Sequence, residues 1–143
     1  MNNWLKLIGS SDKPITDPPF YGMWKKDYVG FRRPGMPGVR NGDHLFLYAP
    51  GGSRSIFALA EAIADPEHDT NYNPNEAGSC RWKIRIRYLV NLPVSYGVSI
   101  DVSLSTRNLA YSVRQQSYIK LLPEEYQNIY IRLREKAAAN KAL

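Results

Sequence analysis

Cysteine is almost absent from this chain of 143 residues, because Cys80 is its single thiol. An intramolecular disulfide is therefore impossible, and a zinc site built on several cysteines lacks its ligands. A lone thiol fits a reducing compartment, and we expect the protein to be cytoplasmic. No apolar run reaches the length of about 18 residues that a membrane helix needs. The N-terminal residues also lack a basic region followed by an apolar stretch, so we expect neither a membrane span nor a signal peptide.

Patterns that would indicate catalysis are missing as well. His44 falls in an apolar stretch and His68 in a polar one, and the two have no metal-ligand spacing. Glu124 and Glu125 follow a proline, a combination typical of a helix start. The glycine pair at 51–52 is too short to cradle a phosphate. Because no serine–histidine–aspartate or paired-carboxylate pattern is present, we predict that the chain is not an enzyme and holds no metal or cofactor.

Basic residues are in excess. Nineteen lysines and arginines against 13 aspartates and glutamates give a formal charge of +6 and an isoelectric point of about 9.5. This balance favours polyanionic partners through phosphate contacts. Ten tyrosines and three tryptophans accompany the cations, and nucleic-acid binding uses both residue types. The alternative is that the cations are solvated side chains on a sheet face. The predicted phosphate-binding residues are Arg32, Arg33, Arg40, Arg85, Arg87 and Arg114.

Extended segments dominate the predicted secondary structure. Residues 3–8 and 80–90 alternate apolar with polar side chains, and 44–49 form an apolar run after an Asn-Gly-Asp turn, so each is predicted to be a strand. Residues 55–63 contain Ala, Leu and Glu, which favour a helix, but they follow a Pro-Gly-Gly turn and include Ile and Phe. We therefore predict a strand there too. Weaker signals predict extended structure over 98–104 and 117–121.

Two helices are predicted near the C-terminus. The first spans residues 109–116, and the second begins at Leu122-Pro123-Glu124-Glu125, where proline and carboxylates suit a first helical turn. Residues 137–143 are expected to fray. The length suits one domain, which we place at residues 1–136. The predicted class is α+β, a small and mostly antiparallel β-barrel with short helices and a C-terminal helix.

Residues 9–41 form a segment in which proline and glycine recur too often for a long regular element. Large apolar side chains between Phe20 and Phe31 indicate that the segment packs on the domain. We predict either a long ordered loop or a pair of short helical turns. Long ordered loops in compact domains are usually functional.

Several segments, taken in order, resemble the EVE domain family. Trp24 is followed by the Gly42-Asp43 turn and by the strand His44-Leu45-Phe46-Leu47-Tyr48, as a tryptophan precedes a Gly-Asp turn and an aromatic-rich strand in that family. The resemblance continues almost to the end of the chain. The later matching segments are Ile56-Phe57-Ala58-Leu59-Ala60-Glu61-Ala62, Asp65-Pro66, Trp82-Lys83-Ile84-Arg85-Ile86, Leu92-Pro93-Val94 and Leu122-Pro123-Glu124-Glu125-Tyr126.

This resemblance implies a PUA-like barrel, related to YTH domains, that holds a modified DNA base in an aromatic cage. Such a module is often the reader of a restriction system, so the chain is expected to be fused to or associated with a nuclease. By resemblance Trp24 is the cage tryptophan, Ser10 or Ser11 the serine at the pocket mouth, and Tyr48 the aromatic that closes the second strand. Further base-binding candidates, chosen by position, are Tyr28, Tyr111 and Tyr118.

Two departures from the family pattern affect the polar contacts to a base. Tyr28 and Val29 lie near the positions where the family often has Arg-Asn, and Ala49 stands where it often has histidine. Three alternative functions stay open: an RNA-binding module that reads a modified nucleotide, an ASCH-like nucleobase hydrolase, and an interaction subunit with a vestigial pocket. The lysine, threonine and glutamate signature that the hydrolase needs is not assembled by this sequence.

Overall fold

The computed structural model describes residues 1–8, 26–50, 54–76 and 79–142. Helices α1 (Leu109–Gln116) and α2 (Pro123–Ala142) are accompanied by two short 3₁₀ helices at Val94–Tyr96 and Ile100–Ser103. The strands in chain order are β1 (Asn3–Leu7), β2 (Tyr28–Phe31), β3 (His44–Ala49), β4 (Ser55–Ala62), β5 (Glu67–His68), β6 (Trp82–Asn91), β7 (Val98–Ser99) and β8 (Tyr118–Lys120).

The described strands form one curled, mixed sheet. Its main path runs β2-β6-β4-β3-β1-β8, with β5 added to β6 and β7 added to β4. β1 runs parallel to β3, and the other pairs are antiparallel. The pairing of β3 with β4 skips Phe57, and the pairing of β4 with β6 skips Leu89, so bulges bend β4 and β6. The result is a half-barrel with two α-helices, and it confirms the predicted α+β class.

Side chains from the two faces of the sheet form two core clusters. The first lies on the inner, concave face, and the second lies between the outer face and the helices. Both central strands, β3 and β4, are buried on both faces, which explains why neither shows a clean alternation. Ala58, Ala60 and Ala62 belong to the first cluster. Their small side chains leave room for the sheet to curl, and the strand predicted over 55–63 is confirmed.

Two predictions along the chain need correction. The alternation over residues 98–104 does not continue as a strand, because Ser99 accepts a hydrogen bond from the N–H of Asp101 and starts a 3₁₀ helix. That helix ends at Leu104, which has a left-handed backbone. The segment over 9–41 was predicted to be a long ordered loop or a pair of short helical turns. It contains the strand β2, which is too short for its periodicity to be detected. β2 obtains its backbone partners from β6.

The predicted helices are present, and α2 continues to Ala142, so residues 137–142 are helical. Glu125 supports the start of α2 by accepting the backbone N–H of Leu122 at 2.8 Å. Its carboxylate also binds the guanidinium of Arg107, with 2.6 Å between Oε1 and Nη2, and the hydroxyl of Ser105 at 2.5 Å. This network fastens α2 to the chain that precedes α1.

Candidate nucleic-acid interface

The two edge strands of the sheet meet through their side chains. β2 and β8 stand at opposite ends of the strand order, yet the rings of Phe31 on β2 and Tyr118 on β8 are 5.0 Å apart and perpendicular, at 87°. Tyr118 also packs on Trp4, with 5.5 Å between ring centroids. Within the described residues, no backbone ladder joins β2 to β8. The contact between Phe31 and Tyr118 closes the gap between these two strands, and we call this gap the seam.

The loop over residues 32–38 is tied to both sides of this seam. Arg33 donates from Nη2 to the carbonyl oxygen of Gln115, at the end of α1, over 2.7 Å. The backbone N–H of Gly38 donates to the hydroxyl of Tyr118 over 3.2 Å. The loop therefore places a predicted phosphate ligand, Arg33, close to a predicted base contact, Tyr118.

The Gly-Asp turn before β3 has a structural role. Asp43 is buried, and its carboxylate accepts hydrogen bonds from the indole N–H of Trp4 and the backbone N–H groups of Asn2 and Arg40, each at 2.9 Å. Burial raises the pKa of Asp43, but these hydrogen bonds together hold it below its ordinary value. The carboxylate thus fastens β1 to the turn and stabilises the wall of the inner core.

Tyr28 and Arg85, predicted separately to contact a base and a phosphate, are direct partners in the β2–β6 pairing. The Nζ atoms of Lys83 and Lys26 lie 4.8 and 5.5 Å from the centre of the Tyr28 ring. Arg85 is exposed, and Lys83 also pairs with Asp69, at 3.2 Å. We call this group the Tyr28 patch: Lys26, Tyr28, Lys83 and Arg85. An aromatic ring surrounded by cations can stack on a base while its neighbours contact phosphates.

Arg87 lies on the same face of β6 but belongs to a cross-strand ladder. Its Nη2 is 2.6 Å from Oε1 of Glu61, and Oε2 of Glu61 is 3.7 Å from Nε2 of His44. Nδ1 of His44 is in turn 2.9 Å from the hydroxyl of Tyr126. The ladder links β6, β4, β3 and α2 and partly neutralises Arg87. A contact between Arg87 and a phosphate therefore stays a prediction.

The other predicted phosphate ligands do not share one face with the Tyr28 patch. Arg40 donates from Nη1 to the carbonyls of Pro37 and Val39, at 2.5 and 3.0 Å, within its own loop. Arg114 lies on α1 and donates from Nε to the carbonyl of Ala110 at 3.3 Å. The arginines thus divide into a group on the outer face of β6, comprising Arg85 and Arg87, and a group on the loop and α1, comprising Arg32, Arg33, Arg40 and Arg114.

Among the predicted base contacts, Tyr48 receives a different role. It is 2% exposed and belongs to the second core cluster, whereas Tyr118 packs on the first, on the other face of the sheet. The two rings therefore cannot line the same base-binding pocket. The structure gives Tyr48 a core role in place of the cage role implied by the resemblance. Tyr111 is 56% exposed on α1. Three further candidates, Ser10, Ser11 and Trp24, lie outside the described residues.

Lys6 is a candidate functional residue that the sequence analysis did not select. It is 6% exposed, its Nζ donates to the carbonyl of Leu7 at 2.9 Å, and the same atom lies 4.9 Å from the centre of the Phe31 ring. Burial lowers the pKa of Lys6 to about 8, with nearby Cys80 acting in the opposite direction and Arg32 lowering it further. The sequence did contain an indication of this role, because the alternation of β1 places a lysine on a strand face that otherwise carries apolar side chains.

Neither a metal site nor a membrane helix is found in the part of the chain that the structure describes. No group of three or more histidine, cysteine, aspartate or glutamate side chains comes together there to hold a metal. No helix within that part is long and apolar enough to cross a membrane.

Comparison with known proteins relates this chain to others by fold alone. No protein-family model matches the sequence, and no curated protein matches it significantly. A hypothetical protein from Leishmania major superimposes with a TM-score of 0.58 and 14% identity, over 95% of this chain and 96% of the other. Rpa0253 from Rhodopseudomonas palustris gives a TM-score of 0.57 and 16% identity, over 97% and 94%.

A third similar structure is a mutant form of an ASCH protein, ZmASCH from Zymomonas mobilis. It superimposes with a TM-score of 0.53 and 11% identity, over 91% of this chain and 97% of that one. ASCH domains have a PUA-like fold, and the curled sheet and C-terminal helix described above match it. The chain therefore has a PUA-like α+β fold that extends over nearly its full length.

Proposed function

We propose that this protein is a nucleic-acid-binding module that holds one extruded base, that the base is a modified one in DNA, and that the module does not catalyse a reaction. The PUA-like fold and the formal charge of +6 support binding to a polyanion. The preference for a modified base rests on the resemblance to EVE domains, and membership of that family is part of the proposal. In this reading the chain is the reader of a modification-dependent restriction system and acts with a nuclease.

The observation that carries the proposal is the Tyr28 patch. Tyr28 and Arg85 are far apart in the sequence, yet they face each other across two paired strands. Lys26 and Lys83 add positive charge 5.5 and 4.8 Å from the centre of the ring. Stacking of a base on an aromatic ring contributes about 1–3 kcal/mol, and nearby cations release counterions from phosphates.

Extrusion of a base explains why rings and cations are needed together. A modification on a base in a duplex can be inspected from all sides only after the base has left the stack, and leaving it costs a few kcal/mol. Stacking on a tyrosine or tryptophan offsets part of that cost. In sequence Trp24 comes two residues before Lys26, so the proposed cage residue belongs to the segment that leads into the Tyr28 patch.

Fluorescence anisotropy with labelled oligonucleotides tests the proposal. The probes are a duplex with one cytosine, the same duplex with 5-methylcytosine or 5-hydroxymethylcytosine at that position, and single-stranded DNA and RNA of the same sequence. We expect affinity for all of them at low salt, a steep loss of affinity with rising salt, and the tightest binding to a modified duplex. A tighter complex with RNA would favour the RNA-binding alternative, and no binding at low salt would refute the proposal.

Charge reversal separates the Tyr28 patch from a general effect of net charge. Arg85→Glu changes the patch, whereas Arg132→Glu makes the same change on the exposed surface of α2, where Arg132 pairs with Glu135. We expect Arg85→Glu to weaken binding of modified and unmodified DNA by a similar factor, and Arg132→Glu to have little effect. Equal effects of both substitutions would show that the patch is not the interface.

The absence of catalysis is tested on the same substrates. Modified nucleosides and oligonucleotides incubated with the protein should be recovered unchanged by liquid chromatography and mass spectrometry. Release of a modified base, or loss of its substituent, would instead support the nucleobase-hydrolase alternative.

A further inference from the structure

Lys6 is a buried cation that pairs with no carboxylate in the described part of the chain. Its side chain is in the inner core, and its Nζ donates to the carbonyl oxygen of Leu7. None of the ion pairs formed among the described residues includes it. An ammonium group removed from water is costly unless an opposite charge or several acceptors compensate for it. An anion at this position would supply that compensation.

The amine is located beside the seam. The ring centre of Phe31, on one edge strand, is 4.9 Å from Nζ of Lys6. Tyr118, on the other edge strand, is the direct cross-strand partner of Lys6. Arg32, next to Phe31 in the chain, is exposed, and its charge is close enough to affect the ionisation of Lys6. The seam therefore brings together a buried cation and an exposed one without a described carboxylate between them.

We propose that Lys6 and Arg32 form a binding site for one phosphate group at the seam. The exposed guanidinium makes the first contact, and the buried ammonium provides a strong hydrogen bond away from competing water. The proposal rests on the proposed function for the origin of the phosphate, which we take to be the backbone of the bound nucleic acid. Free inorganic phosphate has the same chemistry and serves as a probe.

The site should depend on pH in a defined direction. Burial lowers the pKa of Lys6 to about 8, and of its charged neighbours the thiol of Cys80 raises it while the guanidinium of Arg32 lowers it. Tyr118 is the remaining titratable side chain that faces Lys6 across the strand pair. A phosphate binds only the ammonium form strongly, so affinity should fall as the pH rises through about 8.

The first experiment observes the amine in the intact wild-type protein. Lysine side chains labelled with ¹³C and ¹⁵N are titrated from pH 6 to pH 10 by NMR, with and without inorganic phosphate, and Lys6→Met identifies the resonance. We expect phosphate to raise the titration midpoint of Lys6 and to leave that of exposed Lys136 unchanged. An unchanged Lys6 midpoint at saturating phosphate would overturn the proposal.

The second experiment measures binding of a fluorescein-labelled single-stranded thymidine oligonucleotide. Lys6→Met keeps the shape of the side chain and removes its charge, and Lys136→Met makes the same change on the exposed face of α2. At pH 7 we expect Lys6→Met to weaken binding about tenfold, the loss of one hydrogen bond to a charged group, and to reduce the salt slope by about 1. Above pH 9 wild type and Lys6→Met should converge, while Lys136→Met should follow wild type throughout.

The outcomes distinguish this inference from the proposed function. If wild type and Lys6→Met bind the oligonucleotide equally at every pH, the phosphate site is refuted and the nucleic-acid module stands. If wild type binds no oligonucleotide while phosphate still raises the Lys6 midpoint, the proposed function fails and the site accepts free phosphate only. If Lys6→Met does not fold, correlation from the backbone to the side chain assigns the Lys6 resonance in wild type, and the NMR titration still decides the question.

Discussion

The ring of Tyr118 meets the ring of Phe31 edge to face, at 5.0 Å and 87°, and this contact joins the first and last strands of the sheet order. Among the described residues no backbone ladder joins these two strands, and the contact between them is made by side chains. Gly38 adds a hydrogen bond from its backbone N–H to the Tyr118 hydroxyl, so the loop over residues 32–38 depends on the same tyrosine. Closure of the sheet and placement of the loop arginines are therefore coupled.

This coupling predicts graded effects at Tyr118. Tyr118→Ala removes both ring contacts and the loop hydrogen bond and should lower the free energy of unfolding by about 3 kcal/mol, the low end for aromatic truncations, because the ring is half-buried. Tyr118→Phe keeps the rings and should cost about 1 kcal/mol. Urea denaturation measures both, with Tyr111→Ala as the exposed control. Equal losses for Tyr118→Ala and Tyr118→Phe would contradict a role of the ring in closure.

Gly30 on β2 is required by the close approach of Cys80. A Cβ at position 30 would overlap Sγ and Cβ of Cys80, so Gly30→Ala should destabilise the protein by about 1–3 kcal/mol. In a Cys80→Ala background the same substitution should cost clearly less, because the main obstacle is gone. The double-mutant cycle is measured by urea denaturation. A Gly30→Ala cost that does not depend on the residue at position 80 would argue against this contact.

Glu125 predicts acid sensitivity with a definite sign. Burial raises its pKa, but the guanidinium of Arg107, the hydroxyl of Ser105 and the N–H of Leu122 lower it from 4.5 to about 2. Because the folded-state value is depressed, the stabilisation is complete above about pH 4.5 and is lost as the pH falls towards 2. Glu125→Gln should cost about 2–3 kcal/mol at pH 7.

Urea denaturation at pH 7, 4.5 and 3 tests this prediction. The stability difference between wild type and Glu125→Gln should shrink between pH 4.5 and pH 3, because the carboxyl of the unfolded chain takes up a proton there while the folded one, with a pKa of about 2, stays ionised. Glu135→Gln, in an exposed ion pair on α2, serves as the control and should change little at any pH. A constant difference between wild type and Glu125→Gln would mean that the buried ion pair is not the source of the acid sensitivity.

Trp24→Ala tests the proposed cage residue. We expect it to abolish the preference for a modified over an unmodified base, at a cost of about 1–3 kcal/mol in binding, and to move the melting temperature little. Salt-sensitive binding to any DNA should survive. If Trp24 is instead a core residue, the substitution should cost about 3–5 kcal/mol of stability, and a large melting shift with unchanged base preference would refute the cage role.

Tyr28→Ala tests the described part of the interface. Loss of the ring should weaken binding of every base by about 1–3 kcal/mol, because stacking does not discriminate strongly between bases. Tyr28→Phe keeps the ring and should bind nearly as well as wild type. The two variants are compared by anisotropy at one salt concentration. Equal weakening by both would assign the effect to the hydroxyl and not to stacking.

The sequence by itself determined the elements with strong local signals. The alternation in β6, the apolar run of β3 and the proline and carboxylates at the start of α2 each depend on neighbours along the chain, and the structure has them close to the predicted positions. Together with the ordered resemblance, these signals were sufficient for the α+β, PUA-like class. The excess of basic residues, which supports a polyanionic partner, is likewise a property of composition alone.

The tertiary structure decided which side chains share a site. Whether Tyr48 is cage or core depends on what covers its face of the sheet, and there Tyr48 packs in the second core cluster with side chains of both helices. The pairing of Tyr28 with Arg85 and the approach of Phe31 to Lys6 join positions that are distant in the chain. No local pattern encodes such contacts, because they arise from strand order and curvature, which are cooperative properties of the whole packed sheet.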